Sequence, residues 1–222
     1  MAVANVGQLV HIPADTVTLD GWLALPGGAD AIVVFAHGSG SSRHSPRNRF
    51  VAEALQEEGL GTLLFDLLTS DEDALYANRF NVSLLTDRLK IATRWLAQQP
   101  EAKGLAIGYF GASTGAAAAL WAAADLGVDV RAVVSRGGRP DLAGPVLDRV
   151  EAPTLLIVGG RDYAVIDLNW DAYKRITAVK DMKIIAGATH LFEEHGALEQ
   201  VAHAAAEWFV RYLPSTDRKT AA

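Results

Sequence analysis

Apolar positions in this chain fall into two kinds of run, short unbroken ones and longer ones at helical spacing, and the two kinds follow one another almost to the end. Residues 31–36 (AIVVFA), 104–109 (GLAIGY), 130–134 and 154–158 (TLLIV) have the continuity of strands buried on both faces, and 62–65 and 182–185 are shorter strand candidates. Helices are predicted at about 46–58, 84–97, 115–126, 169–176 and 197–212. The clearest places Leu85, Leu89, Ile91, Ala92, Trp95 and Leu96 at helical spacing, with Asp87, Arg88, Lys90 and Arg94 as a solvated face. The opening differs: 7–12 and 16–25 flank Pro13-Ala14-Asp15 and predict an antiparallel hairpin, with Asp20-Gly21 as a turn or bulge inside its second strand. Residues 67–81 are expected to be a surface loop with Ser70-Asp71-Glu72-Asp73 as its acidic part.

Composition narrows the classes. With 222 residues, half of them apolar, one well-filled core and a single domain are expected, with about 1–6 and 215–222 as flexible tails. A net charge of -6 argues against a nucleic-acid partner, which draws on clustered lysine and arginine. No cysteine is present, so a disulfide or a thiolate nucleophile is excluded. The first residues lack a basic n-region, and Gln8 and His11 interrupt their apolar stretch. Nothing further on approaches the roughly 18 apolar residues of a membrane span. A soluble, cytoplasmic protein without a membrane partner is expected.

Chemistry concentrates at Gly111-Ala112-Ser113-Thr114-Gly115. This G-x-S-x-G follows a predicted strand and opens a predicted helix, the context of a nucleophile elbow. A serine at so sharp a turn sits in strained geometry, and the positions two before and two after must lack bulk. Ser113 is the candidate nucleophile. The helix start also aims free backbone N–H groups, that of Thr114 among them, at negative charge forming beside Ser113.

A second glycine-rich stretch, His37-Gly38-Ser39-Gly40-Ser41-Ser42-Arg43, follows the strand at 31–36. With the next strand ending in Asp66 it invites a dinucleotide-binding reading. That pattern fails at its third glycine, where Arg43 stands. The loop can instead supply the second oxyanion donor, through the backbone N–H of Ser39, with His37 bracing it.

The strand at 154–158 ends in Gly159-Gly160-Arg161-Asp162, and the strand at 182–185 leads to Gly187-Ala188-Thr189-His190. A carboxylate at a strand end is placed to fix an imidazole tautomer, so Asp162 is the candidate acid, with Asp167 as rival. His190 is the candidate base, since His11 falls in the hairpin and His203 on the last helix. His190 and His195, five apart, fit neither H-x-x-E-H spacing nor one helix face, so no metal is expected. Only about twenty residues join the strands at 130–134 and 154–158, too few for a helical cap domain, so the site should be open to solvent.

Taken together, HGSGSSR, GASTG, GGRD and GATHLF, in that order, resemble the α/β-hydrolase superfamily, specifically its small, lidless dienelactone-hydrolase-like branch. The resemblance spans about 31–213. It implies an α/β fold with a mostly parallel eight-stranded sheet, helices on both faces and antiparallel first strands. Dienelactone hydrolases proper use cysteine where this chain has Ser113, which favours ordinary ester chemistry. The implied reaction is hydrolysis of a small-molecule carboxylic ester, with Ser113, His190 and Asp162 as the triad and Ser39 and Thr114 as oxyanion donors, and it needs no cofactor. Lactone or thioester hydrolysis, a nucleotide-dependent oxidoreductase and a non-catalytic binding protein are the alternatives. Arg43, His44 and Arg136 are candidate substrate contacts, and Arg139 is a further loop arginine.

Overall fold

Hydrophobic continuity in the strand runs becomes a sheet buried on both sides in the computed structural model, which describes residues 7–213. The tails expected at 1–6 and 215–222 lie outside the described residues. Strands β1 (Gln8–Ala14) and β2 (Val17–Ala24) form the predicted hairpin around Asp15, which adopts φ 54°. The sheet continues with β3 (Ala31–Ala36), β4 (Gly61–Phe65), β5 (Ala106–Ala112), β6 (Val130–Arg136), β7 (Thr154–Gly159) and β8 (Lys180–Ile185). Its order is β1-β2-β4-β3-β5-β6-β7-β8, antiparallel where β2 meets β1 and β4 and parallel elsewhere. This is the eight-stranded, mostly parallel sheet of the α/β-hydrolase fold.

Alternate residues of one strand serve opposite cores. In β3, Ile32, Val34 and Ala36 join one cluster, while Ala31, Val33 and Phe35 join the other. The first cluster is covered by α3 (Val82–Gln98), α4 (Thr114–Leu126) and the end of α5 (Tyr163–Arg175). On the other face lie α1 (Pro46–Glu57) and α6 (Ala197–Tyr212), which also pack on each other. Among the described residues no helix is long and apolar enough to cross a membrane.

Several boundaries depart from the sequence reading. Asp20-Gly21 is no turn, for β2 runs straight through it. A Cβ on Gly21 would lie 3.0 Å from Val10 Cγ2 and 3.2 Å from Phe65 Cβ, so crowding between strands accounts for the glycine. The loop expected at 67–81 contains a short helix, α2 (Ser70–Ala74), and a 3-10 turn, Tyr76–Phe80. Thr69 and Glu72 close a reciprocal capping box there, which stabilises a helix too short for periodicity to reveal. Helix α5 begins at Tyr163, six residues earlier than expected. The β6 to β7 connection holds only a 3-10 run, Pro140–Arg149, and no cap.

Helix α4 is buried along most of its length, and its small side chains allow that: Ala116, Ala117, Ala118, Ala119, Ala122 and Ala123 are inaccessible. At the neighbouring β3 end, His37 ties the glycine-rich loop to β4. Its Nε2 accepts the Leu67 N–H (3.0 Å), so Nδ1 carries the proton and donates to Gly38 O (3.0 Å). Burial holds the His37 pKa below its ordinary 6.5, outweighing the Gly38 bond and the nearby Asp66.

Two outcomes follow from this packing. Ala118→Leu, inserting bulk under α4, should destabilise the protein by about 1–3 kcal/mol in urea unfolding, with the fold retained. His37 is neutral when folded and protonates more readily when unfolded, so its contribution is present above about pH 6.5 and fades as the pH falls below it. Unfolding free energies at about pH 8 and about pH 5.5 should therefore differ more for the wild type than for His37→Gln, which has no group titrating there. Equal pH dependence in the two proteins would show that His37 is not held neutral.

Candidate active site

Because β3, β5, β6 and β7 run parallel, their C-terminal ends open on one edge of the sheet, and the candidate residues leave from that edge. Ser113 stands between β5 and α4 with φ 51° and ψ -119°, a conformation costing a non-glycine residue about 1–3 kcal/mol. Three backbone bonds hold it. Its N–H donates to Arg136 O (3.2 Å), and its carbonyl accepts from Ala116 N–H (3.1 Å) and Arg139 N–H (3.1 Å). Packing explains both glycines of the elbow. A Cβ on Gly115 would lie 2.2 Å from Ala36 O and 2.4 Å from His37 O, and one on Gly111 2.4 Å from Ala116 Cα. These are backbone atoms and cannot swing aside. The first turn of α4 is thus pressed against the end of β3, which seats the elbow beside the glycine-rich loop.

The same device operates at β7. A Cβ on Gly159 would lie 2.5 Å from Thr189 O, so glycine lets the loop after β8 cross the strand end closely. There His190 Nδ1 lies 2.6 Å from Asp162 Oδ2. An ionised carboxylate only accepts, so Nδ1 carries the proton and Nε2 is the basic nitrogen of the neutral ring. Thr189 N–H is held by both carboxylate oxygens of Glu194 (3.1 Å each), a brace for the loop that the sequence reading missed. The rival Asp167 is exposed within α5. His11 pairs with Asp20 (2.9 Å) and His203 with Glu207 (3.3 Å), both away from this edge.

Ser113, His190, Ser39 and Arg136 line one cavity of about 180 Å³. Larger hollows of about 430 Å³ and 530 Å³ lie by Gly104 and Asp129 and between β8 and α6, but neither holds a nucleophile beside a base, so volume does not choose the site. Thr114 is the first residue of α4, and its N–H therefore has no intrahelical acceptor. Ser39 departs from expectation: its N–H donates to Thr114 Oγ1 (3.0 Å), so the two expected oxyanion donors adjoin but one is engaged by a hydroxyl.

The candidate substrate contacts separate. Arg43 turns away, forming ion pairs with Asp66 and with Asp20 (3.2 Å) while its N–H donates to Asp66 (2.7 Å). It ties the loop to the middle of β2 and the end of β4 and does not line the cavity. That engagement also takes the Asp66 carboxylate a dinucleotide ribose would require. His44 is exposed and contacts Arg49 (3.4 Å), outside the cavity. Arg139 is paired with Asp141 through two bonds of 2.8 Å and 2.7 Å. Arg136 alone of these reaches the cavity, and it is buried. Ser45, Arg47 and Asn48, from the start of α1, also line it. Sequence does not mark these three as site residues, because nothing in a helix's first turn says which loop end it abuts. Among the described residues no cluster of three or more histidines, aspartates and glutamates is placed to hold a metal.

Comparison with known proteins agrees with this architecture. The dienelactone hydrolase family profile matches residues 19–214. The crystal structure of a dienelactone hydrolase from Anabaena variabilis is similar at 54% identity and a TM-score of 0.91, covering 94% of this chain and all of that one. Est1E from Butyrivibrio proteoclasticus shares the fold, with a TM-score of 0.79 at 17% identity over 91% of this chain and 98% of its own. A Mycobacterium tuberculosis protein named "Putative phosphoribosyl transferase" is 58% identical over 204 residues, 92% of this chain but 46% of that protein. The chain thus spans about half the length of the curated relatives it matches. Ser113, Asp162 and His190 stand in a hydrolase fold, and the chain belongs to the dienelactone hydrolase family.

Proposed function

We propose that the protein is a serine hydrolase of carboxylic esters. The observation that carries this reading is the 2.6 Å contact of His190 Nδ1 with Asp162, made on the wall of the cavity that also contains the strained Ser113. In the reaction His190 Nε2 takes the Ser113 proton as Oγ attacks the ester carbonyl. The hydrogen bond this needs, which the structure does not show, forms when substrate closes the site. Asp162 stabilises the imidazolium, which then protonates the leaving alcohol. Water attacks the acyl-enzyme by the same route and regenerates Ser113.

The tetrahedral oxyanion is held by the N–H groups of Thr114 and Ser39, once rotation of the Thr114 hydroxyl releases the Ser39 donor. One such donor is worth about 3 kcal/mol of transition-state stabilisation. A cavity of about 180 Å³ favours short acyl groups. The transferase name of the longer relatives covers a whole of which this chain matches less than half, and the hydrolase reading concerns the shared part.

Hydrolysis of p-nitrophenyl acetate, butyrate and octanoate by wild type and Ser113→Ala tests the reading. Turnover should be fastest on the two short esters and fall by about 1,000-fold or more in Ser113→Ala, with circular dichroism unchanged. Equal activity in both proteins would remove Ser113 from the mechanism.

A further inference from the structure

Arg136 ends β6 and is 5% exposed. A buried guanidinium without a counter-charge is costly, and an apolar side chain of similar volume is the cheaper filling. Yet among the described residues Arg136 has no ion pair. Its Nη2 donates to Asn48 Oδ1 (3.3 Å), its Cζ lies 5.8 Å from the centroid of the Phe192 ring, and its Nε is buried with no acceptor. Burial and the neighbouring Arg47 lower its pKa to about 10, which leaves it charged at neutral pH.

Arg47 repeats the pattern. It lines the same cavity, and its Nε is also buried without an acceptor, although its Nη1 reaches the exposed Glu193 (3.1 Å). No aspartate or glutamate lines the cavity. Helix α1 starts here, capped by Ser45 and with no acidic residue in its first turn, so its N-terminal partial charge has the same sign. Two cations and a helix start therefore border the space next to Ser113, and each guanidinium also keeps one buried N–H without an acceptor. The backbone bond from Ser113 N–H to Arg136 O keeps the arginine adjacent to the nucleophile.

Resting on the ester hydrolase reading above, we infer that the substrate carries an anionic oxygen group, a carboxylate or a phosphate, which Arg136 binds directly, with Arg47 as the second ligand and Asn48 orienting the guanidinium. An anion in the cavity accepts from the guanidinium groups of Arg136 and Arg47, which line it, and neutralises the buried charge. The reacting carbonyl then lies a short distance from that anchor, so the subsite sets which esters are presented to Ser113.

Matched esters separate the two anions: the methyl esters monomethyl glutarate and methyl valerate for a carboxylate, and the acetate esters 2-acetoxyethyl phosphate and 2-methoxyethyl acetate for a phosphate, with products followed by NMR. In the wild type the kcat/KM ratio of anionic to neutral ester should be about 10- to 100-fold in at least one pair. That ratio should fall to about one or below in Arg136→Met and to an intermediate value in Arg47→Gln. Arg47 is only partly buried, so the second variant keeps the test meaningful if the first fails to fold.

Calorimetric binding of glutarate and of inorganic phosphate to Ser113→Ala, and to Ser113→Ala carrying Arg136→Met or Arg47→Gln, reads the subsite without turnover. One of the anions should bind the single variant and bind each double variant at least several-fold more weakly. Ester hydrolysis with no anionic preference, and no arginine-dependent binding, would overturn the subsite and leave the esterase reading intact. Arginine-dependent binding with no hydrolysis of any ester would do the reverse.

Discussion

Everything at the sheet edge that carries Ser113 depends on how closely one backbone can approach another. The first turn of α4 lies against the carbonyls of Ala36 and His37, at distances no side chain at Gly115 could tolerate. That approach lets the chain reverse from β5 into α4 within one residue, and Ser113 absorbs the reversal at φ 51°. The strain is offset by bonds to β6 at Arg136, to α4 at Ala116 and to the loop after β6 at Arg139. In the proposed reaction, pre-organisation of this kind would spare the hydroxyl and the Thr114 amide from being assembled at each turnover.

The alternation of buried strand residues supports that edge from below. Each central strand feeds two cores, so the sheet is fixed from both faces and the strand ends cannot shift independently. Glycine at the end of β7 then lets the loop after β8 cross over, and Asp162 meets His190 although 28 residues separate them. His37, held neutral, links the third loop to β4. Ser113, His190 with its partner Asp162, and the Ser39 loop are thus brought by different strands to one region, each by a close contact that glycine or a buried polar bond makes possible.

Much of this was legible in the sequence because the signals are local. Unbroken runs such as AIVVFA and TLLIV marked the central strands, and GASTG between a strand and a helix marked the elbow. Where the sequence reading departed from the structure, a non-local or short-range competitor decided. The capping box at Thr69 and Glu72 made a helix of five residues that no period reveals. Gly21 looked like a turn and is a packing requirement among three strands. Arg43, a loop arginine in sequence, finds Asp66 and Asp20 only once β2 and β4 are neighbours, and Arg136 becomes a cavity cation only once the start of α1 closes over it. Engagement of the Ser39 amide by the Thr114 hydroxyl likewise depends on two loops meeting.

The central claim is that Ser113 is an activated nucleophile, and its most direct test is covalent. A fluorophosphonate incubated with the folded protein should add one equivalent by intact mass, and peptide mapping should place it on Ser113. The rate of labelling should fall by about 1,000-fold in His190→Ala if that imidazole is the base. Absence of modification at Ser113 in the wild type, or labelling that His190→Ala leaves unchanged, would contradict the account.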